Sequence, residues 1–137
     1  GLGATNCISR EELMRDSKAL ESATWGGAID TVGGKIISTV IAQLASNAAV
    51  ASCGNAAGID LNTTVLPFIL RGVSLIGIDS VNCSYDLRKK AWSRLSSDLP
   101  VEKIDSLSHQ ISFDELIDES KKILKGSIRG RTIVKIN

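Results

Sequence analysis

The sequence predicts an α/β chain, a portion of a parallel sheet with flanking helices, closed by a C-terminal helix and strand. Three observations carry this. The strand-like runs Trp25–Gly34, Ala49–Gly54 and Leu75–Val81 are each rich in Gly, Asp or Ser toward their ends. In an open parallel sheet ligands lie beyond the carboxyl ends of the strands, where small residues let backbone approach closely. Strand and helix signals also alternate through the first hundred residues, the pattern of βαβ units. Finally, 137 residues suffice for one real core and are too few for two ordinary domains.

The elements follow in order. Gly1-Leu2-Gly3-Ala4 has no initiator Met and reads as the tail of a helix, so the chain looks like a piece of a longer protein. A short strand is expected over residues 5–8, then a brief helix opened by the capping-box pair Ser9 and Glu12. The strand 28–31 leads to a helix over about 35–45, where Ile36, Ile37, Val40, Ile41 and Leu44 recur at helical spacing. The strand 48–53 has almost no polar residue, as expected of a strand covered on both faces. After the small-residue loop Asn55-Ala56-Ala57-Gly58 comes a helical segment within 62–71, with Pro67 kinking it or marking its first turn. A strand over 73–79 and a helix over 84–99 follow, the helix carrying Leu87, Ala91, Leu95 and Leu99 on one stripe and ending before Pro100. Residues 101–112 turn polar and read as a surface connection. Ser112 and Glu115 repeat the capping box and open a helix to about Leu124, with Phe113, Leu116, Ile117, Ile123 and Leu124 turned inward and Gly126 placed as its C-terminal glycine. The alternating run 130–136 is a terminal strand.

Composition excludes several function classes. Sixteen Lys and Arg stand against fifteen Asp and Glu, too even for a nucleic-acid or membrane-surface footprint. No apolar run approaches the roughly 18 residues that span a bilayer, and Gly1 onward shows neither the basic start nor the cleavage region of a signal peptide, so the chain reads as cytoplasmic. Cys7, Cys53 and Cys83 have no CxxC spacing and read as small buried thiols. With His109 the only histidine, neither a zinc motif nor a His-based triad can be assembled, and no metal site is expected.

Gly33-Gly34-Lys35 invites a phosphate-loop reading but fails on spacing, with Ala28 or Ile29 where the first Gly belongs and Ile36 after the Lys. It reads instead as a strand-to-helix turn, tight in itself or letting backbone approach a ligand. The GxGxxG fingerprint is absent. What remains are features such folds carry later: Arg10 after a strand end, the loop at Gly54-Asn55, and Ser80 after another strand. An Arg in that position is the physical means of holding an adenosine 2′-phosphate, although a helix-start Arg is also an ordinary surface residue.

Taken together, Leu2-Gly3-Ala4-Thr5, Ala28-Ile29-Asp30-Thr31-Val32-Gly33, Ala51-Ser52-Cys53-Gly54, the run Thr63 to Val73, Gly77-Ile78-Asp79-Ser80-Val81 and Gly130 to Ile136 resemble a known family. The chain is similar, from Leu2 to its end, to the C-terminal part of a zinc-independent medium-chain dehydrogenase/reductase, in the acryloyl-CoA reductase and quinone oxidoreductase group. The runs Thr63–Arg71 and Gly77–Val81 are the most specific pieces.

The resemblance implies a partial Rossmann-like NADP-binding domain over residues 1–100, with 101–137 returning to a catalytic domain that has no counterpart here. It implies NADPH as cofactor. Arg10 would meet the 2′-phosphate, and Asn55 would line the cofactor toward the nicotinamide, where relatives can have an apolar residue. Ile69 and Ser80 would be further cofactor contacts, and Arg131 would close back over the cofactor. The substrate would be a small molecule, an enoyl-CoA or a quinone, taking hydride at a β-carbon or quinone ring. No residue is an obvious proton donor, and no catalytic residue is assigned. Tyr85 is the only tyrosine, while Asp30 and Asp79 read as strand-end carboxylates bonded to backbone or ribose. The piece by itself is expected to be inactive and to bury its exposed sheet edge as a homo-oligomer. The rival reading is a stand-alone, non-catalytic α/β module for partner binding, and a third is a binder of an unrelated small ligand at the same strand ends.

Overall fold

A computed structural model describes residues 3–136. Gly1 and Leu2, where the expected helix tail begins, lie outside the described residues. The chain forms two compact units, Thr5–Cys83 and the part from Ser84 onward.

The first unit is built on a parallel three-stranded sheet in the order β1 (Ala28–Asp30), β2 (Ala49–Ser52), β3 (Ser74–Gly77). Each crossover carries a helix, α2 (Gly34–Ala42) between β1 and β2 and α3 (Leu66–Arg71) between β2 and β3. The apolar stripe of α2 and the residues just after it make the core: Ile37 and Ile41, with Leu44 beyond the helix end, pack with Val50, Ala48 and Val73, flanked by Trp25, Ala28 and Phe68. Ile41, Leu44 and Val50 are fully buried. Pro67 is buried in the first turn of α3, where its missing N–H costs nothing, so it starts the helix and does not kink it. Gly72 then ends α3 in the left-handed conformation, donating to the carbonyls of Phe68 and Pro67.

The guanidinium of Arg71 donates to the carbonyls of Ala42, Leu44 and Glu21, tying the end of α2 to the segment before β1. Before the sheet, α1 (Arg10–Leu13) carries both halves of the Ser9/Glu12 capping box and packs against α2.

In the second unit, α4 (Tyr85–Asp98) is capped by Ser84, α5 (Val101–Asp105) follows Pro100, and β4 (Ser108–Ser112) pairs in parallel with β5 (Arg131–Lys135). Between the strands a 3₁₀ turn, Phe113–Glu115, runs into α6 (Leu116–Leu124), with the Ser112/Glu115 capping box complete. At the far end of α6 Gly126 is left-handed and donates to Ile123, while Ser127 donates to Lys122, the paired bonds of a Schellman motif. Among the described residues no helix is long and apolar enough to cross a membrane.

Several expectations are corrected. Residues 5–8 are not a strand, since no neighbouring strand pairs with them. Residues 101–112 are a helix and a strand, not a connection: β4 is polar because only Ile111 is buried along it. The sheet of the first unit is not covered on both faces. Register places Ala28 and Val50 toward α2 and Ile29, Ala51 and Ile76 on the opposite face, where Ile29 is 82% exposed. The stripe of α4 and the apolar residues of α6 are likewise exposed, Leu124 at 88%, because nothing described packs on them. Of the three cysteines none is buried; Cys53 sits just beyond β2 and Cys7 outside any element.

Candidate functional site

Beyond the carboxyl ends of the three strands, backbone meets backbone. The Cys53 N–H donates to the Asp30 carbonyl at 2.8 Å, the Ala57 N–H to the Val32 carbonyl at 2.8 Å, and Gly33 bridges to Gly58. These bonds draw the turn after β1 against the loop after β2, and glycine is what permits it. A Cβ on Gly54 would stand 2.9 Å from the carbonyl carbon of Thr31 and nearer still to its oxygen. One on Gly33 would meet the Gly58 carbonyl and the Asn55 Cα, at a φ of +72° that side chains rarely adopt.

Asp30 holds this junction from beneath. Its buried carboxylate accepts from the N–H groups of Val32 and Gly33, at 3.1 and 3.0 Å, and from the Ser52 hydroxyl at 3.2 Å. It thus supplies the negative charge that the start of α2 favours. The expectation that Asp30 bonds to backbone holds. Asp79 does likewise after β3, accepting from the N–H groups of Val81 and Asn82 and from the Asn82 amide, which holds its carboxyl below the usual range.

Above the junction lies a cleft of about 490 Å³. Its floor is Gly33, Gly54, Gly58 and Gly77 with Ser52, its apolar wall includes Ile37, Ile59 and Leu75, and Asn55 and Asp60 supply the remaining polar groups. It therefore offers close backbone approach, an apolar surface and few polar groups, the usual make-up of a ligand site at a sheet's carboxyl edge.

Of the five residues singled out in the sequence, Asn55 lines this cleft. Arg10, exposed at the first position of α1, does not, and neither do Ile69, 68% exposed on α3, or Ser80, exposed after β3. Arg131 opens β5 in the second unit and lines a separate hollow with Ile123, Ile128, Gly130 and Thr132. Asp60, Ile59 and Leu61 had not been singled out. The available signal was that Asp60 is the only charged residue between Lys35 and Arg71.

A second hollow of the first unit is polar. Arg15 meets Glu21 through two bonds of 2.7 and 2.6 Å, and Glu21 also accepts from Gln43 and from the Lys18 N–H. These donors, Arg15 foremost, hold the Glu21 carboxyl down at about 2. This cluster ties the segment before β1 to α2 and is self-satisfied.

The fold is an α/β fold shared with crystallised oxidoreductases. Over 98% of its length the chain superposes on the crystal structure of YhdH from Escherichia coli K-12 with bound NADPH, with 44% identity and a TM-score of 0.92. The Bacillus subtilis protein yhfP, with NAD bound, matches over the same share at 42% identity and a TM-score of 0.90. Among curated proteins, acrylyl-CoA reductase AcuI of Ruegeria pomeroyi is 42% identical over 137 residues, 99% of this chain and 42% of that protein. The chain thus spans about two fifths of the length of these relatives. No family model matches it. The likenesses bear out the resemblance to the acryloyl-CoA reductase and quinone oxidoreductase group.

Proposed function

We propose that this chain is the cofactor-domain share and C-terminal segment of an NADPH-dependent reductase whose substrate is an α,β-unsaturated acyl-CoA of the acryloyl-CoA kind or a quinone. The observation that carries the reading is the likeness, along 98% of this chain, to a protein crystallised with NADPH, combined with a glycine-floored cleft at the carboxyl ends of the strands. That cleft fits such a cofactor on its own terms: its floor is backbone where side chains would intrude, and its wall is apolar.

When bound, NADPH would supply a hydride to the substrate's unsaturated carbon. The protein's part is position. Arg10 would hold the 2′-phosphate by charge-assisted bonds and so select NADPH over NADH. Asn55 would face the nicotinamide end, Ile69 and Ser80 would add contacts, and Arg131 would close over the cofactor. Residues 1–100 are the cofactor share and 101–137 the segment returning to the catalytic domain. By themselves the 137 residues are expected to be inactive in the reduction. The exposed apolar faces support burial in a homo-oligomer, and the even charge supports a cytoplasmic protein that engages neither nucleic acid nor membrane.

The test is a titration with NADPH and NADH, followed by the fluorescence of Trp25, whose ring N–H is held by Gln43, and of Trp92. NADPH is expected to bind more tightly, and Arg10→Ala to abolish that preference. Binding of neither would sink the cofactor reading for this chain and favour the non-catalytic module.

A further inference from the structure

The cleft is negatively charged and has no cationic side chain. Among its lining residues Asp60 alone carries a charge. Its carboxylate is exposed and holds no hydrogen bond or ion pair among the described residues, so its charge is not neutralised by a protein partner. Just before α2 the Val32 and Gly33 N–H groups are already engaged, donating to the buried Asp30 carboxylate, and are not open to a phosphate. A dinucleotide has phosphates at its centre and, in the oxidised form, a positive charge on its nicotinamide ring. The part of such a ligand that suits an apolar cleft whose one charged side chain is a carboxylate is the ring.

We propose that Asp60 makes this cleft select the charge of the nicotinamide ring, holding the cationic oxidised form more tightly than the neutral reduced form. The inference rests on the cofactor reading above and assigns to Asp60 a specificity-determining role. Positive charge accumulates on the ring as hydride departs, so the same carboxylate would favour donation from NADPH over its reverse. Among the described residues the Asp60 side chain bonds to nothing, and its replacement removes charge without breaking a hydrogen bond among them.

Calorimetric titration of the chain with NADP⁺ and with NADPH, for the unaltered protein, Asp60→Asn and Asp60→Glu, decides the matter. Asp60→Asn is expected to weaken NADP⁺ by about twofold to fivefold relative to NADPH, the scale of one exposed charge pair. Asp60→Glu should keep the original ratio, and the Asn effect should shrink as salt is raised past a Debye length of ~8 Å. If both forms bind and Asp60→Asn leaves their ratio unchanged, the role of Asp60 is overturned while the cofactor reading stands. If neither form binds the unaltered chain, both are overturned together.

Discussion

Replacing Gly54 by Ala tests whether the cleft is shaped by backbone contact. The added methyl would stand 2.9 Å from the Thr31 carbonyl carbon and 3.0 Å from its Cα, with the oxygen closer still. No side chain can rotate away, because every one of these atoms is backbone. Nor can the two segments part freely, since the Cys53 N–H to Asp30 carbonyl bond and the Ala57 N–H to Val32 carbonyl bond hold them together. Overpacking of this sort costs about 1–3 kcal/mol. Reduced freedom of the unfolded chain returns about 0.4–1 kcal/mol of that. The expected net loss is therefore about 1 kcal/mol, within a range of roughly 0–2.6 kcal/mol. Gly77, at the end of β3 and lining the same cleft, is the control: nothing lies within 4 Å of a Cβ there and its φ is not positive. Gly77→Ala should leave stability unchanged or raise it by up to about 1 kcal/mol. Urea unfolding followed by Trp25 emission reads both as shifts of midpoint at constant slope. A Gly54→Ala protein as stable as the original, or an equal loss in Gly77→Ala, would refute the claim that Thr31 and Gly54 set the cleft by contact.

Two further outcomes are expected. The Glu21 carboxyl falls from 4.5 to about 2 on folding, so its contribution is fully present above pH 4.5 and is lost as the pH drops through 2. Glu21→Gln should cost about 1–2 kcal/mol at neutral pH, the full shift being discounted because the Arg15 side chain is 41% exposed, and the gap to the unaltered protein should close on acidification in chemical unfolding. In the second unit Glu119, buried and held below the usual carboxyl range by His109 at 2.7 Å and Lys122 at 2.9 Å, ties α6 to β4. Glu119→Ala should speed amide hydrogen exchange along β4, whereas Asp118→Ala, which removes only the exposed pair with Lys121, should not.

Where a feature of the fold is local, the sequence already contained it. Both capping boxes form, because Ser9 and Ser112 each find their Glu three residues on, and Gly126 ends α6 as a glycine in that place should. The α2 stripe faces the core because no other periodicity competes with it. Reading failed where a partner decides. Residues 5–8 have strand composition but no neighbouring strand, and β4 has loop composition but gains five paired positions along β5. The apolar residues of α6 promised an inward face that packs on nothing described. The site divides in the same way. Asn55 was legible from the small-residue loop that holds it, while Asp60 became visible only once the loop's return placed it over the ends of β2 and β3.

Labour in the cleft is divided between main chain and side chains. Its shape comes from hydrogen bonds between main-chain groups and from glycines at two close approaches, Gly33 and Gly54, so most side chains around it are free to differ without moving its floor. Asp30 is the exception among the acidic groups: buried, and bonded to the Val32 and Gly33 N–H groups just before α2, it is part of the frame. The Asp60 side chain bonds to none of the described residues, and what it brings to the cleft is charge. A substitution at Asp30 should therefore alter stability and binding together, because it leaves buried donors without an acceptor. A substitution at Asp60 should alter the choice of ligand alone, and that separation distinguishes residues that build this cleft from residues that tune it.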